Sequence, residues 1–198
     1  MPKVTEEHRL ARRAQIVDAA RHCVLSDGFH KTTMADVIQE SGLSAGAVYG
    51  YFKSKEEIVA AIAEDALSTV DEVFQKILAT EQVLTPLMAL ETALEHVVAI
   101  SERPEGDVTR IAVQAWAEAL RNPAIMSTAC GKYSQLRDNF EAVARRAQAD
   151  GTVDPDADPG HIAQVMFGLI PGFVLQRLII GDVTIETYTA GLRALLRQ

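Results

Sequence analysis

Residues 32–58 read TTMADVIQESGLSAGAVYGYFKSKEEI, and this stretch decides the fold. Thr33 stands three residues before Asp36, the spacing at which a helix cap and its returning acid form a capping box. Met34, Val37 and Ile38 then recur at the interval of one buried helical face. Gly42 follows Ser41 where a left-handed residue would end that helix. Leu43 is the expected buried residue of the turn. Ser44 can cap a second short helix running from Ala45 to about Phe52. Val48 and Phe52, four apart, turn inward, and Tyr49 and Tyr51 carry hydroxyls able to reach phosphate oxygens. Ser54 with Glu57 repeats the capping-box spacing and opens a third helix, with Lys53 and Lys55 at its start as phosphate partners. Two short helices joined by a Gly-Leu-Ser turn are the pattern of a helix-turn-helix, whose second helix enters the DNA major groove.

The stretch resembles the DNA-binding domain of the TetR family of bacterial transcriptional regulators. Ile16, Ala19, Ala20, Gly28, Phe29, Thr32, Thr33, Ile38, Gly42, Ser44, Gly46, Tyr49, Tyr51, Phe52, Lys55 and Glu56 carry the resemblance. It covers roughly residues 9–60, and a shorter match lies at Trp116–Pro123. The resemblance implies a homodimer, a small-molecule pocket among the C-terminal helices, and repression released by ligand. The DNA-facing set it points to is Arg13, Lys31, Thr32, Thr33, Ser44, Ala45, Gly46, Ala47, Tyr49, Gly50, Tyr51, Lys53 and Lys55.

The chain departs from the family at the helix that should read DNA. Ala45 and Gly50 stand where long polar side chains are common, and Ala47 where Thr is common. Such a helix has little hydrogen-bonding reach to base edges. Alanine can touch a thymine methyl, and glycine lets backbone approach closely. Two glycines in one short helix each cost about 1 kcal/mol against alanine. The expectation is positioning by phosphate contacts, with sequence read through thymine methyls and DNA shape.

The formal net charge of −8 argues at first against a nucleic-acid partner. Its placement removes the objection. Residues 1–57 hold 8 basic and 8 acidic side chains, whereas residues 58–198 hold 11 and 19. Lys3, Arg9, Arg12 and Arg13 gather near the start. They are either a solvated helix face or an arm that reaches phosphate or the minor groove. With so little basic excess per chain, useful affinity calls for a dimer. No uninterrupted apolar run reaches the ~18 residues of a membrane span, and no signal peptide is recognisable, so a cytoplasmic protein without membrane contact is expected. Cys23 and Cys130 read as two free thiols.

No alternating strand pattern is present. The reading is all-α with about nine helices: a helix-turn-helix domain at 1–54 and a ligand-binding and dimerisation domain at 55–198. A long helix runs from Lys55 to about Leu78. Thr85-Pro86, Asp107, Asn122-Pro123 and Asp158-Pro159 mark later helix starts. Pocket candidates are Met88, His96, Arg110, Gln114, Trp116, Met126, Tyr133, Phe140, Met166, Phe167, Phe173 and Gln176. They would suit a mostly apolar ligand with one or two polar anchors. Aromatic residues and Met at helical spacing can equally be plain core. The stripe Arg110, Gln114 and Glu118 is either a solvated face or a polar pocket wall. Residues 162–180 are apolar nearly all round, with Gly168 and Gly172 four apart and Pro171 between them. With Ile185, Tyr188, Leu192, Leu195 and Leu196 of the last helix they are the expected dimer surface.

Enzyme readings fail on context. Gly42-Leu43-Ser44-Ala45-Gly46 matches G-x-S-x-G, but a nucleophile elbow needs a strand before the serine. No metal, P-loop or dinucleotide motif appears. His8, His22, His30, His96 and His161 are scattered, so neither cofactor nor metal is expected. The contrasting possibility is an all-helical small-molecule-binding protein whose helix-turn-helix has weak or lost DNA binding.

Overall fold

The computed structural model describes residues 5–67, 70–104 and 106–196. The described elements are α1 (Glu6–Asp27), α2 (Met34–Ser41), α3 (Ala45–Tyr51), α4 (Lys55–Leu67), α5 (Val70–Leu78), α6 (Pro86–Ser101), α7 (Val108–Ala119), α8 (Pro123–Ala149), α9 (Pro159–Ile179) and α10 (Ile185–Leu196). All ten are helices. The expected continuous helix from Lys55 to Leu78 corresponds to α4 and α5, and residues 68 and 69 between them lie outside the described residues. Counted as one, they give the nine helices anticipated.

The chain divides into two compact units. The first takes the chain up to Ala66 and then Ile100–Ala129; the second takes Leu67–Ala99 and Cys130 onward. A boundary at residue 54 therefore does not coincide with the packing. Most of α4 joins the first unit because Ile58, Val59, Ala61 and Ile62 bury their faces in the same core as Ile16, Val24, Val37 and Val48. Helix α7 joins it through Val108, Ile111 and Ala119.

In the first unit, Thr5 caps α1 by accepting a hydrogen bond from the His8 amide, and Glu6 and Glu7 complement the positive helix end. Ile16, Ala20 and Val24 follow at four-residue intervals and are buried. Gly28 ends α1 at φ 86°, a conformation other side chains resist. Arg21 is buried on this helix, held by Asp18 at 2.8 Å and Asp65 of α4 at 2.9 Å. Removing one partner from so buried a charge would be costly.

In the second unit, Phe74 meets Phe140 edge to face at 4.9 Å between ring centroids. Leu90, Leu94, Val143, Ala163, Met166 and Phe173 complete its core. Arg146 gathers the turn after α5: it bonds Asp150 at 3.0 Å and donates to the carbonyls of Leu78 and Thr80. Asp150 also accepts the Leu84 amide at 2.8 Å, and that bond, with Arg146, holds its carboxyl below the usual carboxylate range.

Helix α9 runs unbroken through Pro171. Among the described helices it alone is long and apolar enough to cross a membrane, with mean hydropathy 1.6 over an 18-residue window. Gln164 and Gln176 interrupt its apolar sequence, so no unbroken apolar run of about 18 residues occurs in it. One side of α9 lies in the core through Ala163, Met166 and Phe173. The other side leaves Val165 and Ile179 65% and 77% exposed.

Candidate nucleic-acid interface

Helices α2 and α3 are closed by their own side chains. The Thr33 hydroxyl accepts from the Asp36 amide, and the Asp36 carboxylate accepts from the Thr33 amide at 2.8 Å, a complete capping box. The Thr33 hydroxyl also donates to the same carboxylate at 2.8 Å, and this bond and the one from the Thr33 amide hold the Asp36 carboxyl below its ordinary range. Gly42 sits in the left-handed region at φ 65°. Ser44 caps α3 by accepting from the Ala47 amide. Gln15 of α1 adds a bond that the sequence pattern did not signal: its side-chain N–H donates to the Ser41 carbonyl at 2.7 Å and ties the turn to α1. Any polar residue at that point of α1 would look the same in the sequence.

Val48 and Phe52 are buried and anchor α3, while Leu43 is half-buried against the same core. This leaves Ala45, Gly46, Tyr49 and Gly50 on the outer face, with Ala47 half-buried beside them. A Cβ built on Gly46 or Gly50 would meet nothing within 4 Å. Internal packing therefore does not demand glycine at either place. Ser44 and Thr33 are exposed as well as capping, and Lys31 and Lys53 are exposed. Tyr51 is half-buried against the core.

Several of the cations anticipated at DNA already have protein partners. Lys53 donates to the Tyr49 carbonyl. Lys55 donates to the Phe29 carbonyl at 2.8 Å, its nitrogen 4.3 Å from the Phe29 ring centroid. Arg13 pairs with Glu64 at 3.1 Å and lies over the Phe52 ring. Arg9 pairs with Glu6, and Arg12 with Gln15. Lys3 lies outside the described residues. Thr32 needs correction: it is 2% exposed, and its hydroxyl donates to the Gly28 carbonyl, so its side chain cannot face DNA. At the start of α4 the second capping box is incomplete. Ser54 accepts the Glu57 amide, but the Glu57 carboxylate takes the Lys53 amide instead of returning to Ser54.

The pocket candidates fall in both units. Arg110, Gln114, Trp116 and Met126 belong to the first unit, and the other eight to the second. Phe140, Met166 and Phe173 are core residues, each at most 5% exposed. Their apolar surface is spent on neighbouring helices. Tyr133 and Phe167 are both half-buried and pair at 5.5 Å between centroids. Met88 and Gln176 are exposed, and His96 is half-buried. On α7, two members of the polar stripe make contacts within the first unit. Gln114 accepts the Phe29 amide at 2.7 Å, Glu118 lies 3.2 Å from His30, and only Arg110 stays exposed. Among the described residues, no three His, Cys, Asp or Glu are grouped to hold a metal ion.

An all-helical chain whose head presents the second helix of a helix-turn-helix has the architecture of a DNA-binding transcription regulator. A family model described as bacterial regulatory proteins of the tetR family matches residues 16–62. A model for the C-terminal part of BetI-type transcriptional repressors matches residues 86–198. This chain belongs to the TetR family of transcriptional regulators and is not an enzyme. The HTH-type transcriptional regulator UidR of Escherichia coli (strain K12) is 26% identical over 189 residues, 93% of this chain and 90% of its own. YfiR of Bacillus subtilis, described as an uncharacterized HTH-type transcriptional regulator, is 50% identical over 66 residues, 33% of this chain and 32% of its own. The solved structure of Salmonella enterica GusR is similar with a TM-score of 0.75 at 26% identity, covering 99% of this chain and 100% of that one.

Proposed function

We propose that the chain is a homodimeric, ligand-released repressor of the bacterial cytoplasm that binds a two-fold symmetric operator. The observation carrying this reading is the outer face of α3, where Ala45, Gly46, Tyr49 and Gly50 stand clear of the core that Val48 and Phe52 anchor. Tyr49, Lys31, Lys53 and the capping residues Thr33 and Ser44 supply polar groups for phosphate. Ala45 and Ala47 offer methyl contacts, and Gly46 and Gly50 admit close approach of the DNA. Sequence is then read from thymine methyls and groove shape rather than from side-chain hydrogen bonds. The homodimer uses the exposed apolar sides of α9 and α10, at Val165, Leu175, Ile179, Leu195 and Leu196. A two-fold dimer places its recognition helices about 34–36 Å apart, or a multiple of that. A mostly apolar effector need only favour a different spacing, and a coupling of about 1–3 kcal/mol suffices.

The test is a mobility shift of the purified chain on its own upstream intergenic DNA at two salt concentrations, against random DNA. Tighter, salt-sensitive binding to the intergenic fragment is expected. Replacing operator thymine by uracil should weaken it. Binding no tighter than to random DNA, there and among genome-wide selected fragments, would instead favour an all-helical small-molecule-binding protein without DNA function. Operator affinity unchanged by every compound that binds the chain would sink ligand release.

A further inference from the structure

The backbone of Phe29 is gripped on both sides of its Cα. It lies just past the end of α1, where Gly28 turns the chain at φ 86° toward α2. Its N–H donates to the side-chain oxygen of Gln114 on α7 at 2.7 Å. Its carbonyl accepts from Lys55, the first residue of α4, at 2.8 Å. The Phe29 side chain is itself 4% exposed within the core of the first unit. Three further contacts surround the joint. The buried Thr32 hydroxyl closes back on the Gly28 carbonyl at 3.0 Å. Glu118, one turn beyond Gln114, faces His30 at 3.2 Å. The Lys55 ammonium rests over the Phe29 ring.

This joint sets the angle at which the chain leaves α1 and enters the capping box of α2. Its two outside holders both come from later in the chain than the DNA-reading helices. Lys55 follows α3 by a few residues. Gln114 comes from the part of the sequence that matches the C-terminal, BetI-type model, yet it packs in the same compact unit as the head. A buried N–H that loses its acceptor is costly, so the segment would shift to find another.

Resting on the DNA-binding reading above, we infer that Gln114 and Lys55 are positioning residues for operator recognition. They fix the backbone on both sides of Phe29, and through it the placement of α2 and α3, without touching DNA. Helix α7 is thus a working part of the DNA-binding unit. Lys55 acts as an internal strut, not as a phosphate partner.

The experiment uses the full chain and an operator selected from random duplexes by the wild-type protein. Gln114→Leu should weaken operator binding about tenfold. The slope of log affinity against log salt should stay unchanged, because no phosphate contact is lost. Gln114→Glu, which keeps an acceptor oxygen, should restore most of the affinity. Lys55→Met should also weaken binding with an unchanged slope, whereas loss of a phosphate partner would reduce the slope by about 0.9. The double variant should lose less than the two single losses combined, since both act on the backbone of one residue.

Wild-type affinity in Gln114→Leu, or a slope reduced by about 0.9 in Lys55→Met, would overturn the inference. Hydrogen exchange of the free protein decides the matter even if no operator is found. Gln114→Leu should speed exchange at the Phe29 amide and through residues 30–52, with α9 unchanged. Unaltered exchange across residues 28–52 would overturn the inference by itself. Failure of the wild-type chain to select any DNA would count against the DNA-binding reading.

Discussion

The turn between α2 and α3 and the long helix α9 are held by opposite means. The turn is a set of short-range polar closures: Thr33 with Asp36, Gly42 in the left-handed region, Ser44 over the Ala47 amide. Helix α9 has almost no such features beyond its Asp158 cap, and it is located by apolar area, one side in the core and the other exposed. Local caps fix a shape and leave the outer surface free to be small and plain. Apolar area fixes a neighbour, and α9 carries more of it than its own unit covers.

That contrast can be broken first at Phe140, which lies in the second unit's core at 0% exposure. As a core ring its replacement by alanine should cost about 3–5 kcal/mol in a denaturant titration. A wall of a preformed pocket would lose far less and would bind ligand differently. A second break lies on the uncovered side of α9. On the proposed homodimer, Leu175→Glu with Ile179→Glu should raise the dissociation constant by roughly a hundredfold or more, because each charge would be buried unpaired at the proposed interface. Sedimentation velocity reads this directly, and an unchanged dimer would move the interface elsewhere.

The polar side of the comparison carries smaller effects. Thr33→Ala removes a cap worth about 1 kcal/mol, measured as a drop in unfolding free energy. It also removes the hydroxyl's hydrogen bond to the Asp36 carboxyl, the larger of the two from Thr33 that hold it down. A depressed carboxyl contributes stability that is present above the usual carboxylate range and lost as pH falls through its lowered folded value. Stability of the wild type should therefore fall more steeply than that of Thr33→Ala in that acid window. The smallest expected change is a gain: Gly46→Ala and Gly50→Ala should each stabilise α3 by up to about 1 kcal/mol. If operator affinity falls while thermal stability rises, the bare face is there for the DNA and not for the fold.

The same contrast explains what could be read from the sequence. Caps and turns depend on residues three or four apart, so Thr33, Gly42, Ser44 and Asp158 announced themselves. So did the inward pair Val48 and Phe52. Long-range partners have no such signature. Gln114 looked like one member of a polar stripe, and only folding sets it opposite Phe29. Thr32 looked like a DNA-facing hydroxyl until its burial against Gly28 showed otherwise. Phe140, Met166 and Phe173 could not be separated from pocket residues, because an apolar side chain obeys the same spacing whether it meets another helix or a ligand. The compact units differ from the sequence boundary at residue 54 for a related reason: α4 and α7 return to the first core from further along the chain.

The two thiols differ in a way that reaches beyond packing. Cys23 is buried in α1, and burial, reinforced by nearby carboxylates led by Glu40, pushes its thiol up, whereas Cys130 is exposed on α8. Alkylation proceeds through the accessible thiolate. A maleimide probe should therefore mark Cys130 alone in the native protein, giving each protomer one dye without mutagenesis. Cys23 would react only when α1 comes away from its core, so its slow labelling would act as a clock for opening of the head.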